Sequence, residues 1–253
     1  FEGNPLFNAG IGATCTAEGT FELDASIMEG KDLSAGAVAG LKHVKHPINA
    51  AYAVKTKSPH VMLSGAGAEE FAKEQGLEMV EDNMYFATPK TMEWIEKLKQ
   101  ESKKNGTVGC VVLDKQGNLT AGTSTGGMFK KRWGRIGDSP VIGAGTYADN
   151  NSCAVSCTGH GEYFIRHAVA FDVCARYKYL KESVEKAADY IIHTELNTNA
   201  GNGGLIAVDK LGNIAMPYNS GGMFRGFLYK EKGRPEIKKG CGIGKKIVVV
   251  GEK

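Results

Sequence analysis

Proline is scarce in this chain, with 7 residues in 253, and no apolar run approaches the length that spans a membrane. The net charge is only +3, so the composition gives no sign of a nucleic-acid-binding or membrane-surface footprint. Glycine, by contrast, is abundant at 34 residues and follows no fixed period. This balance favours tight turns in a folded chain over disorder. We expect one large domain or two small ones with a substantial core.

Paired cysteine motifs are also missing. Cysteines occur at positions 15, 110, 153, 157, 174 and 241, mostly among apolar neighbours. Cys153 and Cys157 have no second pair at zinc spacing, so we expect buried, reduced thiols, no zinc site and a cytoplasmic location. Because the chain starts at Phe1 rather than at Met, a signal peptide would be invisible, and a periplasmic or lysosome-like location stays open.

Hydrophobic periodicity predicts alternating blocks of strands and helices. The turns Asp114-Lys-x-Gly-Asn and Asp209-Lys-x-Gly-Asn predict two similar hairpins, which could share a sheet region. Strands at both ends of the chain, with helices packed outside them, predict a layered α/β sandwich. Strands are expected at 21–28, 36–44, 60–64 (buried), 108–113, 119–124, 205–208 and 214–218, and helices at 47–57, 66–75, 88–104, 162–177 and 181–196.

The junction between Gly106 and Thr107 carries the main chemical hypothesis. A polar, lysine-rich segment (97–105) leads into it, and an apolar strand leads out. If the Gly106–Thr107 bond is cut, Thr107 gains a free α-amine beside its own hydroxyl. An α-amine titrates near pH ~7.7–8 and can serve as the base for a hydroxyl nucleophile. The alternative is that Thr107 merely opens a β-strand, where β-branched residues are common.

Two downstream motifs could complete such a site. Thr125, in Thr-Ser-Thr-Gly-Gly, should lie beside Thr107 because a hairpin brings its outer ends together, although polar residues also simply end strands. In Gly-Arg-Ile-Gly-Asp-Ser-Pro, Arg135 offers a planar fork for a carboxylate and Asp138 could hold an ammonium group. The alternative for Arg135 and Asp138 is a surface salt bridge of little energetic value.

A third motif, Thr158-Gly-His-Gly-Glu162, precedes an apolar helix. Backbone N–H groups near Gly159 and Gly161, unhindered by side chains, could bind an anion or a developing oxyanion. A lone G-x-G could equally mark a nucleotide phosphate site. His160 is a candidate base, but an N-terminal Thr would bring its own.

Five motifs occur in one order and together carry a resemblance. The chain between about Asn4 and Gly226 resembles the plant-type L-asparaginase and isoaspartyl aminopeptidase family of N-terminal-nucleophile hydrolases. The motifs are Asn-Gly-Thr-Val-Gly-Cys-Val, Thr-Ser-Thr-Gly-Gly-Met, Gly-Arg-Ile-Gly-Asp-Ser-Pro-x-Ile-Gly-Ala-Gly-Thr-Tyr-Ala, Ser-Cys-Thr-Gly-x-Gly-Glu and Gly-Met-Phe-Arg-Gly.

The resemblance implies an α+β fold, an αββα four-layer sandwich. It further implies self-cleavage into an α subunit (1–106) and a β subunit (107–253) that together form one structural domain and assemble as a homodimer of α/β heterodimers. Against the family pattern, the α subunit is N-terminally incomplete, because a strand with a His-Gly-Gly-Ala-Gly-like turn and a long helix are missing.

The resemblance also implies a role for each site residue. The catalytic set would be Thr107 as nucleophile, Thr125 as its hydroxyl partner, and Thr158 and Gly159 at the oxyanion. The substrate-binding set would be Arg135, Asp138, Gly161 and Asn8. No catalytic cofactor is implied, but a structural Na⁺ would be held by the backbone carbonyls of Glu2, Asn4, Phe7, Ala9 and Ile11, since oxygen ligands suit a hard cation.

The implied activity is hydrolysis of small molecules, namely L-asparagine and β-aspartyl dipeptides, with no nucleic-acid or membrane partner. Glycosylasparaginase activity is an alternative, because it would share the nucleophile and the Arg135 clamp. A distant alternative is a non-catalytic module that binds phosphate at the glycine-rich segment 158–162.

Overall fold

The computed structural model describes residues 1–96, 106–230, 237–243 and 246–251. The helices are α1 (Pro47–Lys57), α2 (Gly65–Glu74), α3 (Pro89–Glu96), α4 (Gly161–Arg166), α5 (Val169–Leu180), α6 (Val184–Tyr190) and α7 (Leu196–Thr198). The strands are β1 (Leu23–Glu29), β2 (Ala35–Leu41), β3 (Met62–Ser64), β4 (Val108–Leu113), β5 (Leu119–Thr125), β6 (Thr146–Ala148), β7 (Cys153–Gly159), β8 (Gly203–Asp209), β9 (Ile214–Ala215), β10 (Arg225–Lys230), β11 (Ile237–Ile243) and β12 (Lys246–Gly251).

Two sheets packed face to face form the centre of the molecule. The first has strand order β3-β2-β1-β5-β4 and the second β6-β7-β8-β9. Strands β4 and β5 contact β7, while α1 and α2 cover the first sheet and α5 and α6 cover the second. These four layers, helices outside two sheets, confirm the αββα sandwich and the α+β class. Strands β10, β11 and β12 form a separate antiparallel sheet from the basic tail.

Apolar clusters fill each interface between layers, and a line of hydroxyl groups crosses between the two sheets. Ser26 Oγ donates to Thr146 Oγ1 at 2.7 Å, and Thr123 Oγ1 and Ser156 Oγ are 2.7 Å apart. A Cβ on Gly109 would lie 2.1 Å from Ser156 Oγ. Glycine two residues after Thr107 therefore lets β4 approach β7 closely.

The structure confirms the first three predicted helices within the residues that it describes. Helix α1 begins at Pro47, and Gly76 follows α2 with a φ of +70°, as a helix-ending glycine should. Helix α3 begins at Pro89, and the rest of the helix expected to reach residue 104, including Leu98, lies outside the described residues. The prediction that strand 60–64 is buried is wrong, because β3 is an exposed edge strand.

The two later helices are interrupted, which the periodicity did not predict. The helix expected over 162–177 is broken by Ala168, whose φ of 46° ends α4 and redirects the chain into α5. The helix expected over 181–196 begins only at Val184, after the Ser183 cap, and continues through a π-helical turn at Ile191–Glu195. Its apolar residues, which recur at helical spacing, are buried against the second sheet: Val184, Ala187, Ala188, Ile191 and Ile192.

Both predicted hairpins exist, and an aspartate organises each turn. Asp114 Oδ1 accepts the Asn118 N–H at 2.7 Å, and Asp209 Oδ1 accepts the Asn213 N–H at 2.9 Å. The expectation that they share a sheet region is wrong: β4 and β5 lie in the first sheet, whereas β8 and β9 lie in the second. The second return strand also covers only Ile214–Ala215. The duplicated hairpins thus stack in facing layers.

Two further expectations concern thiols and membranes. Four of the five cysteines whose side chains are described are buried thiols, whereas Cys110 is exposed. Cys241 lies outside the described side chains. Within the described ranges, no helix has both the length and the apolarity needed to cross a bilayer.

Candidate active site

The start of β4 and the end of β5 bring two threonine hydroxyls together. The antiparallel register pairs Val108 with Ser124, which places Thr107 beside Thr125. Thr107 Oγ1 donates to Thr125 Oγ1 at 3.2 Å. The proximity predicted from the hairpin is therefore confirmed.

The hydrogen bonds of the Thr125 hydroxyl determine where its single proton points. Thr125 Oγ1 accepts from the Gly127 N–H at 2.9 Å and donates to the Gly106 carbonyl oxygen at 3.1 Å. Because a hydroxyl carries one proton, the lone pairs of Thr125 remain for Thr107 and Gly127. The hydrogen bonds run in one direction, from Thr107 through Thr125 to the Gly106 carbonyl.

Asn8 is the second donor to that carbonyl. Its Nδ2 donates to the Gly106 oxygen at 2.6 Å and to the Gly127 oxygen at 2.8 Å, while its Oδ1 accepts the Thr14 N–H at 2.8 Å. The Thr14 N–H fixes which end of the amide is the donor. The structure thus places Asn8 against the Gly106 carbonyl, whereas the resemblance implies contact with substrate.

A narrow pocket opens beside this pair of hydroxyls. Its free space is about 10 Å³, enough for one water molecule but not for an amino acid. Gly106 itself forms part of the wall, so the chain before Thr107 occupies space at the site. The pocket is lined by Gly106, Thr107, Thr125, Gly127, Met128, Arg135, Gly137, Asp138, Ser139 and Gly159.

Arg135 and Asp138 both line the pocket, but they differ in environment. The Arg135 guanidinium forms a two-pronged ion pair with Glu162, from Nε at 2.9 Å and from Nη2 at 2.8 Å. The surface salt bridge weighed as an alternative is therefore present, with Glu162 as the partner rather than Asp138. Glu162 was predicted only as the start of a helix, although its position directly after the G-x-G motif was an available signal.

Asp138 is a buried carboxyl whose pKa is raised. It is 4 % exposed, and its Oδ2 has no hydrogen-bond partner among the residues described. Burial raises its pKa to about 7, and the nearby Glu162 and Asp24 charges also raise the pKa while Arg135 lowers it. Near neutral pH this carboxyl is therefore only partly ionised, and an approaching cation would favour its charged form.

The glycine-rich motif contributes backbone to the pocket rather than side chains. A Cβ on Gly159 would lie 2.5 Å from the Asn202 carbonyl oxygen, and one on Gly161 would lie 2.8 Å from Arg135 Nη2. Helix α4 begins at Gly161, one residue before the predicted start. The described lining includes Gly159 but not Thr158, which precedes it at the end of β7.

The N-terminal loop presents Asn8 and is anchored by a buried carboxylate. Glu2 accepts from Ser124 Oγ at 2.6 Å and from the Ile48 N–H at 3.0 Å. Two of the five carbonyls predicted to hold sodium already accept loop bonds, that of Glu2 from Ile11 at 2.9 Å and that of Asn4 from Phe7 at 3.2 Å. Each carbonyl oxygen keeps a second lone pair, so the loop is compatible with a cation. Among the described residues, no group of three or more His, Cys, Asp or Glu side chains could hold a metal ion.

A buried ion pair behind Thr125 was missed by the sequence analysis. Lys131 Nζ lies 3.9 Å from Asp24 Oδ2 and donates to the Glu22 carbonyl at 2.9 Å. Asp24 pairs with Thr125 across β1 and β5. Burial lowers the pKa of Lys131 and raises that of Asp24. No sequence signal distinguishes these two residues from other charged residues.

Comparison with known proteins adds independent information. The sequence model of one family, described as asparaginase, matches residues 1–236. The isoaspartyl peptidase of Salmonella typhimurium is 50 % identical over 242 residues, which covers 90 % of this chain and 77 % of that protein. The Escherichia coli isoaspartyl peptidase is 45 % identical over 252 residues, covering 90 % and 78 % respectively. The Homo sapiens isoaspartyl peptidase/L-asparaginase is 41 % identical over 230 residues, covering 88 % and 74 %.

Proposed function

The chain belongs to the asparaginase family, and from that premise we propose that it hydrolyses the side-chain amide of L-asparagine and the isopeptide bond of β-aspartyl dipeptides. The observation that carries the proposal is the contact of 3.2 Å between Thr107 Oγ1 and Thr125 Oγ1, in a pocket that Arg135 and Asp138 also line. The names of the relatives, isoaspartyl peptidase and L-asparaginase, support the same substrates.

Arg135 and Asp138 would bind the end of the substrate that does not react. The guanidinium suits the α-carboxylate, and the buried carboxylate of Asp138 suits the α-ammonium. Both groups line the pocket that contains Thr107. Holding the backbone end of an aspartyl group here would present its side-chain carbonyl to the threonine hydroxyl.

The reaction would proceed by acyl transfer through Thr107. Its Oγ attacks the β-carbonyl carbon, and the hydroxyl proton moves to the free α-amine of the same residue. Thr158 and Gly159 would hold the negative oxygen of the tetrahedral intermediate. The proton then passes to the departing ammonia or amine, which leaves a β-aspartyl ester on Thr107. Water hydrolyses the ester to release aspartate and restore the hydroxyl.

Formation of the free amine would use the same hydroxyl. Thr107 Oγ attacks the Gly106 carbonyl carbon, the C–N bond breaks in an N-to-O acyl shift, and water hydrolyses the resulting ester. The Asn8 amide and the Thr125 hydroxyl, at 2.6 Å and 3.1 Å from the Gly106 oxygen, would stabilise the charge that develops there. Cleavage would also allow Gly106 to move away from the pocket, whose wall it forms in part.

The fragments 1–106 and 107–253 would remain together as one domain. Strand β1 of the first fragment pairs with β5 of the second along six residue pairs, from Asp24–Thr125 to Glu29–Thr120. We expect two such cleaved units to associate as a homodimer, and light scattering coupled to size exclusion would measure the mass. A mass of one unit would contradict this part of the proposal.

A structural Na⁺ in the loop 2–11 would need no side-chain ligand, and no cofactor takes part in the steps above. Backbone carbonyls are suitable oxygen donors for this hard cation. Replacing NaCl by choline chloride at equal ionic strength should lower the melting temperature. An unchanged melting temperature would remove the sodium from the proposal.

The proposed activity is tested by product analysis. The purified protein is incubated separately with L-asparagine, a β-aspartyl dipeptide and a glycosylated asparagine, and ammonia, free amino acid and glycosylamine are measured. We expect activity on the first two substrates and none from a Thr107→Ala control. Activity on the glycosylated substrate alone would favour glycosylasparaginase, an alternative that the names of the relatives do not favour. Tight nucleotide binding without hydrolysis would favour the phosphate-binding module.

A further inference from the structure

We propose that Glu162 is a positioning residue that fixes the Arg135 guanidinium with one edge directed at the substrate carboxylate. The inference rests on the proposed function, because it takes Arg135 as the group that binds the α-carboxylate. Glu162 itself is not among the residues that line the pocket. Its contribution to substrate recognition would therefore act through Arg135.

The ion pair uses a specific edge of the guanidinium. Arg135 Nε donates to Glu162 Oε1 and Nη2 donates to Oε2, so both oxygens of Glu162 hold the Nε–Nη2 side. A guanidinium has five N–H donors in a rigid plane, and this pairing leaves the Nη1 end and the second N–H of Nη2. The substrate carboxylate would therefore bind end-on across Nη1 and Nη2.

Two glycines confine the guanidinium. A Cβ on Gly137 would lie 2.9 Å from Arg135 Nη1, and one on Gly161 would lie 2.8 Å from Nη2. Gly137 lines the pocket, which places the Nη1 end of the fork at the pocket wall. The Arg135 side chain thus passes between two positions at which only glycine leaves enough room for it. The ion pair with Glu162 then determines the rotation of the guanidinium.

His160 also contacts Glu162, at the same oxygen that accepts from Arg135 Nη2. His160 Nε2 lies 3.3 Å from Glu162 Oε2, and the imidazole makes an edge contact with the Tyr163 ring at 5.0 Å between centroids. Arg135 lowers the pKa of Glu162, so its carboxylate stays ionised and paired. His160, a candidate base in the sequence analysis, supports the ion pair in this arrangement.

Removal of Glu162 would change substrate binding in opposite directions under two interpretations of the ion pair. If Glu162 positions the fork, its removal should weaken substrate binding, because Arg135 loses its fixed orientation. If Glu162 merely competes with substrate for the guanidinium, its removal should strengthen binding. Two ligands separate recognition of the α-carboxylate from other effects: L-aspartate carries that carboxylate, whereas β-alanine is the same molecule without it.

The test compares wild type, Glu162→Ala and Glu162→Gln with a matched control, Glu182→Gln. Glu182 forms the same kind of two-pronged pair with Arg176, at 2.9 Å and 3.4 Å, on the α5–α6 side of the molecule. KM and kcat for L-asparagine and the inhibition constants of L-aspartate and β-alanine are measured after complete maturation is verified by mass spectrometry.

We expect Glu162→Ala to raise KM and the L-aspartate inhibition constant together by roughly 10-fold to 100-fold. In Glu162→Ala, kcat and the β-alanine inhibition constant should change less than about threefold. The KM and the L-aspartate inhibition constant of Glu162→Gln should lie between those of wild type and Glu162→Ala. The control, Glu182→Gln, should match wild type in all four constants.

Equal weakening of both inhibitors, an unchanged KM or a lower KM in Glu162→Ala would overturn the inference alone. An inactive wild type would overturn the proposed function and this inference with it.

Discussion

The buried carboxyl of Asp138 gives a quantitative prediction about stability. Its folded-state pKa is about 7, against an ordinary value of 3.8, because burial penalises the charge. An acid whose pKa is raised by folding keeps its proton in the folded protein over a pH range in which the unfolded chain has lost it. Stability contributed by this group therefore falls as pH rises from about 4 to about 7, and then stays constant.

The magnitude follows from the shift. Each pH unit between the two pKa values costs about 1.4 kcal/mol, so the penalty reaches about 4 kcal/mol at pH 8 and is roughly 3 kcal/mol smaller at pH 5. Asp138→Asn removes the titration but leaves an amide group where Oδ2 has no partner among the residues that the structure describes, at a pH-independent cost of about 1–3 kcal/mol. The absolute difference between the two proteins is therefore small, whereas its change with pH is large.

The assay is denaturant unfolding of Asp138→Asn and its parent, both carrying Thr107→Ala so that each is a single uncleaved chain. Unfolding free energies are measured from pH 5 to pH 8 at one protein concentration, with two probes to check for a single transition. The difference should move in favour of the asparagine variant by about 3 kcal/mol as the pH rises. A difference that stays within about 1 kcal/mol would show that Asp138 is ionised in the folded protein throughout, and the reasoning from burial would be wrong.

Four further predictions concern substrate binding and maturation. For asparagine, kcat/KM should fall below pH 7, because only ionised Asp138 binds the ammonium group; a flat profile measured to pH 5 would contradict this role. N-acetyl-L-asparagine lacks that ammonium group and should release no ammonia in an assay that detects asparagine hydrolysis; equal rates would remove the amine from recognition. Arg135→Lys should cost roughly 2–5 kcal/mol in kcat/KM while cleavage, followed by mass spectrometry, proceeds normally; unchanged kinetics would place Arg135 outside the site. Asn8→Ala should slow cleavage at Gly106 roughly 100-fold to 1,000-fold, as loss of an oxyanion donor does, and cleavage at the wild-type rate would exclude that role.

Much of the architecture could be predicted because it depends on local patterns. The hairpin from Val108 to Thr125 follows from an apolar strand, a glycine turn and a return strand, and it brings Thr107 and Thr125 together. Helix α1 and the end of α2 follow from proline and glycine at positions where backbone geometry requires them. The order of the motifs identified the family, and the four layers of the sandwich followed from that resemblance.

The predictions from sequence fail where packing between elements that are distant in the chain determines the structure. Periodicity continued through Ala168, but the chain changes direction there so that α4 and α5 can each contact β7. Two identical turn motifs gave no information about which sheet each hairpin joins. The pairing of Asp24 with Lys131 was also beyond reach, because an ion pair between residues distant in sequence leaves no local pattern.

The charged groups at the pocket indicate why the free α-amine and α-carboxylate of a substrate would be recognised together. Asp138 has a raised pKa and an oxygen without a hydrogen-bond partner in the described part of the chain. Arg135 has one edge paired with Glu162, while its other end lies at the pocket wall. A ligand that brought only a carboxylate would leave Asp138 without a cation, and one that brought only an amine would leave the free end of the guanidinium unused. An α-amino acid brings both charges with no net charge, so desolvation of each is offset by its own partner. We infer that this pairing restricts the site to aspartyl groups with a free amine and a free carboxylate, such as asparagine and β-aspartyl dipeptides, because an isoaspartyl residue inside a peptide has its amine acylated.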